Sequence, residues 1–229
     1  YLLQLDREGL THFVSRRRGR EITPRGREEL AHANVIDKVG FVASKIDSLG
    51  YRMTFSISAG RGTIITNVAL IPRGYFARAL EDMKHVFVRG LGMGTKLAVA
   101  REDEVLCGLT VPADTVALGA VCSVTVNGIL LEQGIPVTSR FGGLLEMRDW
   151  RPVRFVELIE YAGTTLDPLE TFIQAGMTRV RECARSGNGI IGASFREFPL
   201  VALDDVLSLK KKMELHGLGG LLAIGHPNQ

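Results

Sequence analysis

Residues 1–30, YLLQLDREGLTHFVSRRRGREITPRGREEL, set the frame for the whole chain. Leu2, Leu3 and Leu5 are apolar and Gly9 stands where a helix would stop, so YLLQLDREG reads as the last turns of a helix. LTHFV (10–14) alternates as a strand, SRRRGR turns at Gly19, and REIT returns as a second strand. Thr23 suits an N-cap and Pro24 the first helical position, which predicts a helix to about His32. The order is therefore helix, strand, basic turn, strand, helix. The chain opens on Tyr1, already inside this pattern, and reads as lacking the start of the first helix.

From His12 to Arg27 there are six arginines against one glutamate, while the whole chain carries only +3. The molecule is thus no general polyanion binder, and the distribution of charge matters more than its total. Arginines at a hairpin tip can straddle DNA phosphates or enter the minor groove, where negative potential is strongest. The flanking elements reproduce the end of a winged helix, in which the helix before the hairpin reads bases and the hairpin is the wing. Arg16, Arg17, Arg18 and Arg20 are the candidate DNA contacts, against the plainer reading of a solvated basic loop.

The other 199 residues are ordinary in composition, within a chain of 229 that is 45% hydrophobic and 23% charged. Cys107, Cys122 and Cys183 are odd in number and lack a CxxC pair, which argues against a disulfide framework or zinc finger and for a reducing cytoplasm. No apolar run approaches the roughly 20 residues of a membrane span, and the given residues show no charged-then-apolar pattern of a signal peptide. Histidines 12, 32, 85, 216 and 226 are scattered without metal-ligand spacing. GLGMG (90–94) follows a helix pattern and precedes a strand, the reverse of a phosphate loop.

Asn34 can cap a helix whose apolar residues Val35, Val39, Val42, Ile46 and Leu49 recur at helical spacing. YRMTFSIS (51–58) and TIITNVALI (63–71) read as a hairpin about AGRG, and 73–90 as an amphipathic helix. TKLAVA (95–100), VLCGLTV (105–111) and TVALG (115–119) are strand-like. Periodicity does not decide 120–134; its length and the closing Gly134 favour a helix. IPVTSRFGGLLEMRD (135–149) suggests two strands about a Gly142-Gly143 turn, followed by a strand at 152–161. Asp167 and Pro168 open a helix, TRVRECARSG (178–187) offers another, 189–198 is a strand, 203–217 a helix, and GGLLAIG (219–225) a final buried strand. The fold class expected is α+β.

The strings DKVGFVASKIDSLGYRMTF, GTIITNVALI, VCSVTVNGILLEQGIPVTSRFGGLLE, LDPLETFIQAGMTRVRECARSGNGIIGASFREFP and GLGGLLAIGHPNQ, together with residues 1–30, resemble the NrpR family of archaeal nitrogen repressors. The resemblance covers essentially the whole chain, most specifically 120–199. It implies the tail of a winged helix over residues 1–34, then a mixed α/β effector and dimerisation domain over 35–229, with hairpins and packed helices. It further implies a homodimeric repressor, not an enzyme, that binds operator DNA and releases it when 2-oxoglutarate binds.

That ligand carries two carboxylates and a ketone, so its site needs Arg or Lys, hydroxyls and free backbone N–H groups. Thr138, Ser139 and Arg140 before the Gly-Gly turn offer these within five residues and are the first choice, with Cys122 and Ser123 as possible neighbours; Ser194 and Arg196 form a second cluster. Thr178 and Arg179 stand at a helix start that could present N–H groups to an anion. The plainer reading is that Arg140 and Arg196 pair with Glu146 or Glu197 on the surface. A rival from another class is an enzyme acting on a small carboxylate in the same clusters.

Overall fold

A computed structural model describes residues 2–15, 18–27 and 41–225. The chain divides into two compact units, residues 1–40 and 41–229. The boundary expected after residue 34, the predicted cap at Asn34, the positions Val35 and Val39, and the end of the helix at His32 lie outside the described residues.

In the first unit, α1 (Leu2–Arg7) leads into β1 (Thr11–Ser15) and β2 (Gly19–Ile22), which pair antiparallel with Thr11 opposite Ile22. Residues 24–27 are helical. Thr23 caps them as its sequence position predicts: its Oγ1 accepts from the Gly26 N–H at 3.0 Å and its carbonyl from the Arg27 N–H at 2.9 Å.

The second unit begins with α2 (Val42–Arg52). There follow β3 (Thr66–Pro72), α3 (Phe76–Val88), β4 (Leu97–Ala100), the short β5 (Val105–Leu106) and β6 (Leu109–Thr110), and β7 (Thr115–Val121). After α4 (Val124–Glu132) come β8 (Thr138–Arg148), β9 (Arg151–Glu160), α5 (Pro168–Gln174), α6 (Val180–Ser186), β10 (Gly189–Glu197) and α7 (Leu203–Leu215). Among the described residues the strands form two antiparallel three-stranded sheets, ordered β3-β7-β4 and β10-β8-β9, and two separate hairpins. The α+β class expected from the sequence is the one observed.

α4 has its residues from Val124 to Leu130 all buried, with Ile129 at 0% exposure. On one side it joins Phe55, Ile57 and the α7 residues Val206, Leu209 and Met213 in the main core. On another, Val124 packs with Val42 and Ile46 of α2 and with Tyr161. A helix apolar all round has no stripe to detect, which is why periodicity alone left this segment undecided. The predicted run at 120–134 splits accordingly, its first residues finishing β7 before the helix begins.

The two sheets are clasped at one end. Asp82 of α3 receives Arg181 Nε of α6 at 2.7 Å and stands 3.8 Å from Arg185 Nη2. The Arg89 guanidinium lies 4.3 Å from the centre of the Trp150 ring, at the tip of the β8–β9 hairpin. Asp149 and Trp150 turn that hairpin with φ of 49° and 66°, and the Trp150 N–H donates to the Gly187 carbonyl.

Four expectations are corrected. Residues 51–58 form no strand: α2 runs through Arg52, and AGRG closes only a single bridge, Ser56 to Arg61, while β3 pairs with β7 instead. VLCGLTV is not one run but a tight hairpin, with Cys107 and Gly108 at φ of 52° and 80°. Gly142-Gly143 is not a turn. β8 passes straight through it, and the glycines are needed for close approach, since a methyl on Gly143 would lie 2.6 Å from the Glu157 carbonyl oxygen. Finally, 219–225 is neither a strand nor buried throughout; Leu218 makes one bridge to Gly94, and Leu222 is 39% exposed.

Candidate functional site

Arg196 and Ser194 lie two residues apart on β10, and Ser139 on β8 is the register partner of Arg196. All three meet the N-terminal half of α4. Arg196 Nε donates to Asn127 Oδ1 at 2.6 Å, Nη1 to Ser194 Oγ at 2.6 Å and Nη2 to Ser123 Oγ at 3.0 Å. Asn127 Nδ2 in turn donates to Ser139 Oγ at 2.9 Å. Tyr161, following β9, and Cys122, preceding α4, border the same group.

The electrostatics of this cluster are unusual for an arginine. Among the described residues no carboxylate ion-pairs with Arg196; its partners are an amide and two hydroxyls. Burial pushes its guanidinium below the ordinary value, although arginine remains protonated. The same burial raises the Tyr161 hydroxyl and the Cys122 thiol, so both stay neutral near pH 7. Each of Nε, Nη1 and Nη2 makes one bond here, which leaves two of the five guanidinium N–H groups without a protein acceptor among the described residues. A half-buried positive charge with spare donors and no acid partner is suited to an anion. Hydroxyls around it suit the remaining oxygens of an oxo-acid.

The structure thus brings together Cys122, Ser123, Ser139, Ser194 and Arg196. It does not bring in the other two residues of the first predicted cluster. Arg140 faces away and pairs with Glu197, Nε to Oε2 at 2.6 Å, and Thr138 is exposed at the start of β8. The alternation of a strand explains this: Ser139 and Arg140 point to opposite faces. Nor does the start of α6 offer free amides at Arg179, whose N–H donates to the Ile190 carbonyl at 2.7 Å. Asn127 and Tyr161 escaped the sequence reading. Asn127 had a signal, a lone amide in the apolar run VTVNGILL, which must find a partner once buried. Tyr161 gave none.

Two open depressions lie elsewhere. One, of about 310 Å³, is lined by Phe87, Lys210, Glu214 and the glycine loops at 90–94 and 219–220. The other, of about 420 Å³, lies beside Glu146, Arg148, Arg154 and Arg179. Neither includes Arg196, and the arginines of the second are already engaged by Glu146 and Glu182.

In the first unit, Arg16 and Arg17 lie outside the described residues. Arg18 is exposed, its N–H donating to Ser15 Oγ at 3.0 Å. Arg20 is held: its Nε donates to Asp6 Oδ2 at 2.8 Å, and its guanidinium lies 5.6 Å from the centre of the Phe13 ring. The contacts from Thr11 and Arg20 keep the Asp6 carboxyl below its ordinary pKa. Among the described residues no helix is long and apolar enough to cross a membrane.

Comparison with known proteins adds the identity of the fold. Residues 39–229 match the family model of the NrpR regulatory domains NRD1 and 2. The chain is 31% identical over 227 residues to the global nitrogen regulator NrpRI of Methanosarcina mazei, covering 98% of this chain and 69% of that protein. It is 29% identical over 228 residues to the global nitrogen regulator NrpR of Methanococcus maripaludis, covering all of this chain but 39% of that one. The crystal structure of a nitrogen repressor-like protein from Methanococcus jannaschii is similar, with a TM-score of 0.66, 27% identity, and coverage of 83% of this chain and 76% of the other. These relatives bear the names of regulators rather than enzymes. By these matches the chain belongs to the NrpR family of nitrogen regulators.

Proposed function

We propose that this chain acts in a transcriptional repressor of nitrogen-assimilation genes, which releases operator DNA when 2-oxoglutarate occupies the Arg196 cluster. The observation that carries the effector site is Arg196 itself: partly buried, with no carboxylate partner among the described residues and with two spare N–H donors. One ligand carboxylate takes a spare Nη donor together with Nε, the donor that Asn127 holds in its absence, and Ser123, Ser139, Ser194 and the Tyr161 hydroxyl surround its remaining oxygens. Thr138 and Arg140, expected to share the site, have no part in this reading.

Residues 1–34 are read as the end of a winged helix, with Arg16, Arg17 and Arg18 toward phosphate and Arg20 bracing the hairpin through Asp6. Residues beyond 40 are read as the effector and dimerisation unit. Association of two copies is favoured by apolar side chains left in water, among them Val201 at 94%, Leu215 at 86% and Val105 at 64% exposure. Homodimerisation fits a palindromic operator, whose half-site spacing mirrors the two-fold of the protein.

Calorimetry with 2-oxoglutarate tests the effector reading. Saturable heat whose affinity falls by about tenfold to a hundredfold in Arg196→Met, with the ligand recovered unconsumed, is the expected result. Turnover of the ligand would establish the rival reading, an enzyme of small carboxylates, and binding unaffected by Arg196→Met would place the site elsewhere.

A further inference from the structure

We infer that Asn127 is the positioning residue through which occupancy of the Arg196 cluster reaches α2. The inference rests on the effector reading above and concerns what happens after binding.

Asn127 is 2% exposed and uses both ends of its amide: Oδ1 accepts from Arg196 Nε and Nδ2 donates to Ser139 Oγ. Arg196 is therefore pinned to α4 by a neutral acceptor. A ligand carboxylate is a stronger acceptor than an amide for the same guanidinium, because its bond is charge-assisted. When the carboxylate draws Arg196 away, the Asn127 carbonyl is left buried without a donor. That state is costly, and water cannot relieve it at 2% exposure, so the side chain or its helix must shift.

The neighbour behind Asn127 is the backbone of α2. A methyl on Gly50 would stand 3.5 Å from Asn127 Cβ and 3.5 Å from Leu131 Cδ1. One residue on, a methyl on Gly128 would meet Met53 Cε at 2.5 Å, so the end of α2 is seated directly on α4. Val42, Ile46 and Gly50 are the buried face of α2, and the first two share a core with Val124 at the head of α4. A close-packed seam of this kind passes on a displacement rather than absorbing it. α2 begins two residues after the division at residue 40, so the chain entering it comes from the arginine-rich unit.

Hydrogen exchange on the intact chain, with and without saturating 2-oxoglutarate, reads this directly. In the unaltered protein the amides of 42–52 should change their exchange by about fivefold or more on ligand addition, the range of ordinary allosteric coupling. In Asn127→Ala the ligand no longer competes with the amide for Arg196. Affinity should rise severalfold while α2 ceases to respond, an outcome that a merely structural role for Asn127 would not give. Asn127→Asp keeps the volume and places a carboxylate on Arg196; the fold should persist, with ligand affinity about tenfold or more weaker.

Ligand binding to the unaltered chain without any response in α2 overturns the inference and leaves the effector reading standing. So does an Asn127→Ala chain that binds more weakly yet keeps the α2 response. A chain that binds no 2-oxoglutarate at all overturns both.

Discussion

The arginines of the β1–β2 hairpin and the single arginine of the β10 cluster use one side chain in opposite ways. On the hairpin, charge is dense and cheap to solvate: Arg18 is exposed, and Arg20 has an acid beside it. At Arg196 one charge is taken out of water and given an amide and two hydroxyls in place of a carboxylate. Arg140, one register step from Arg196's strand partner, completes the comparison, for Glu197 neutralises it. Exposed density offers long-range attraction that salt screens, whereas an unneutralised, partly buried charge offers selectivity in a small volume. The absence of an acid, more than the presence of an arginine, separates a ligand-ready site from an ordinary surface pair.

The largest effect expected from breaking this contrast is at Arg196. Arg196→Met should weaken 2-oxoglutarate binding by about tenfold to a hundredfold, as loss of a charged hydrogen bond does, read by calorimetry. Gly143→Ala should come next, because its methyl would strike the Glu157 carbonyl at 2.6 Å and bend the strand that carries Ser139. A loss of about 1–3 kcal/mol in thermal unfolding is expected from such overpacking. An unchanged midpoint would mean that β9 yields to it without cost.

On the hairpin, Arg18→Ala should lower the slope of log affinity against log salt by up to about 0.9 if the side chain meets a phosphate. Arg20→Ala should reduce the stability of the first unit as well, because Asp6 loses its partner. Equal effects on slope and none on stability would erase the distinction drawn between them. The pH dependence sharpens the contrast from the side of neutral partners. The Cys122 thiol and Tyr161 hydroxyl are both raised by burial, so the folded state holds their protons more tightly than the unfolded chain. The Cys122 contribution is present below the ordinary cysteine value, about 8.5, and the Tyr161 contribution below the ordinary tyrosine value, about 10; each is lost as pH climbs past that value. Urea midpoints at pH 7 and pH 9.5 should show that decline, and Cys122→Ser should flatten it. The smallest effect belongs to Arg140→Ala, within about 0.5 kcal/mol in stability and with no change in ligand affinity.

Much of this organisation is legible in the residues. The order of helix, hairpin and helical turn among the described residues of 2–27 follows from Gly9, Gly19, Thr23 and Pro24, each with a local conformational reason. Ser194 and Arg196 share a strand face by period alone. Legibility fails where an element is specified by its surroundings. Gly142-Gly143 has the composition of a turn, but it is the proximity of Glu157, Phe155 and Pro168 that requires glycine there. The α4 segment carries no amphipathic stripe because core surrounds it. Thr138, Ser139 and Arg140 are adjacent in sequence, and alternation along β8 divides them between two faces. Asn127 was readable in principle, since an amide among valines and leucines demands a partner; its partner lies 69 residues away.

The clasp at the β8–β9 tip has a practical consequence. Trp150 is the chain's single tryptophan, and its ring sits beneath Arg89, which follows α3, while its backbone is tied to Gly187 after α6. Its emission therefore reports on that junction alone, without labels and without subtraction of other indoles. Any rocking of one sheet against the other that parts the guanidinium from the ring changes the indole's electrostatic surroundings and shifts its emission. The fold thus carries its own optical gauge of domain strain, placed at the opposite end of β8 from Ser139, where ligand titration and relaxation kinetics can be followed on the unmodified protein.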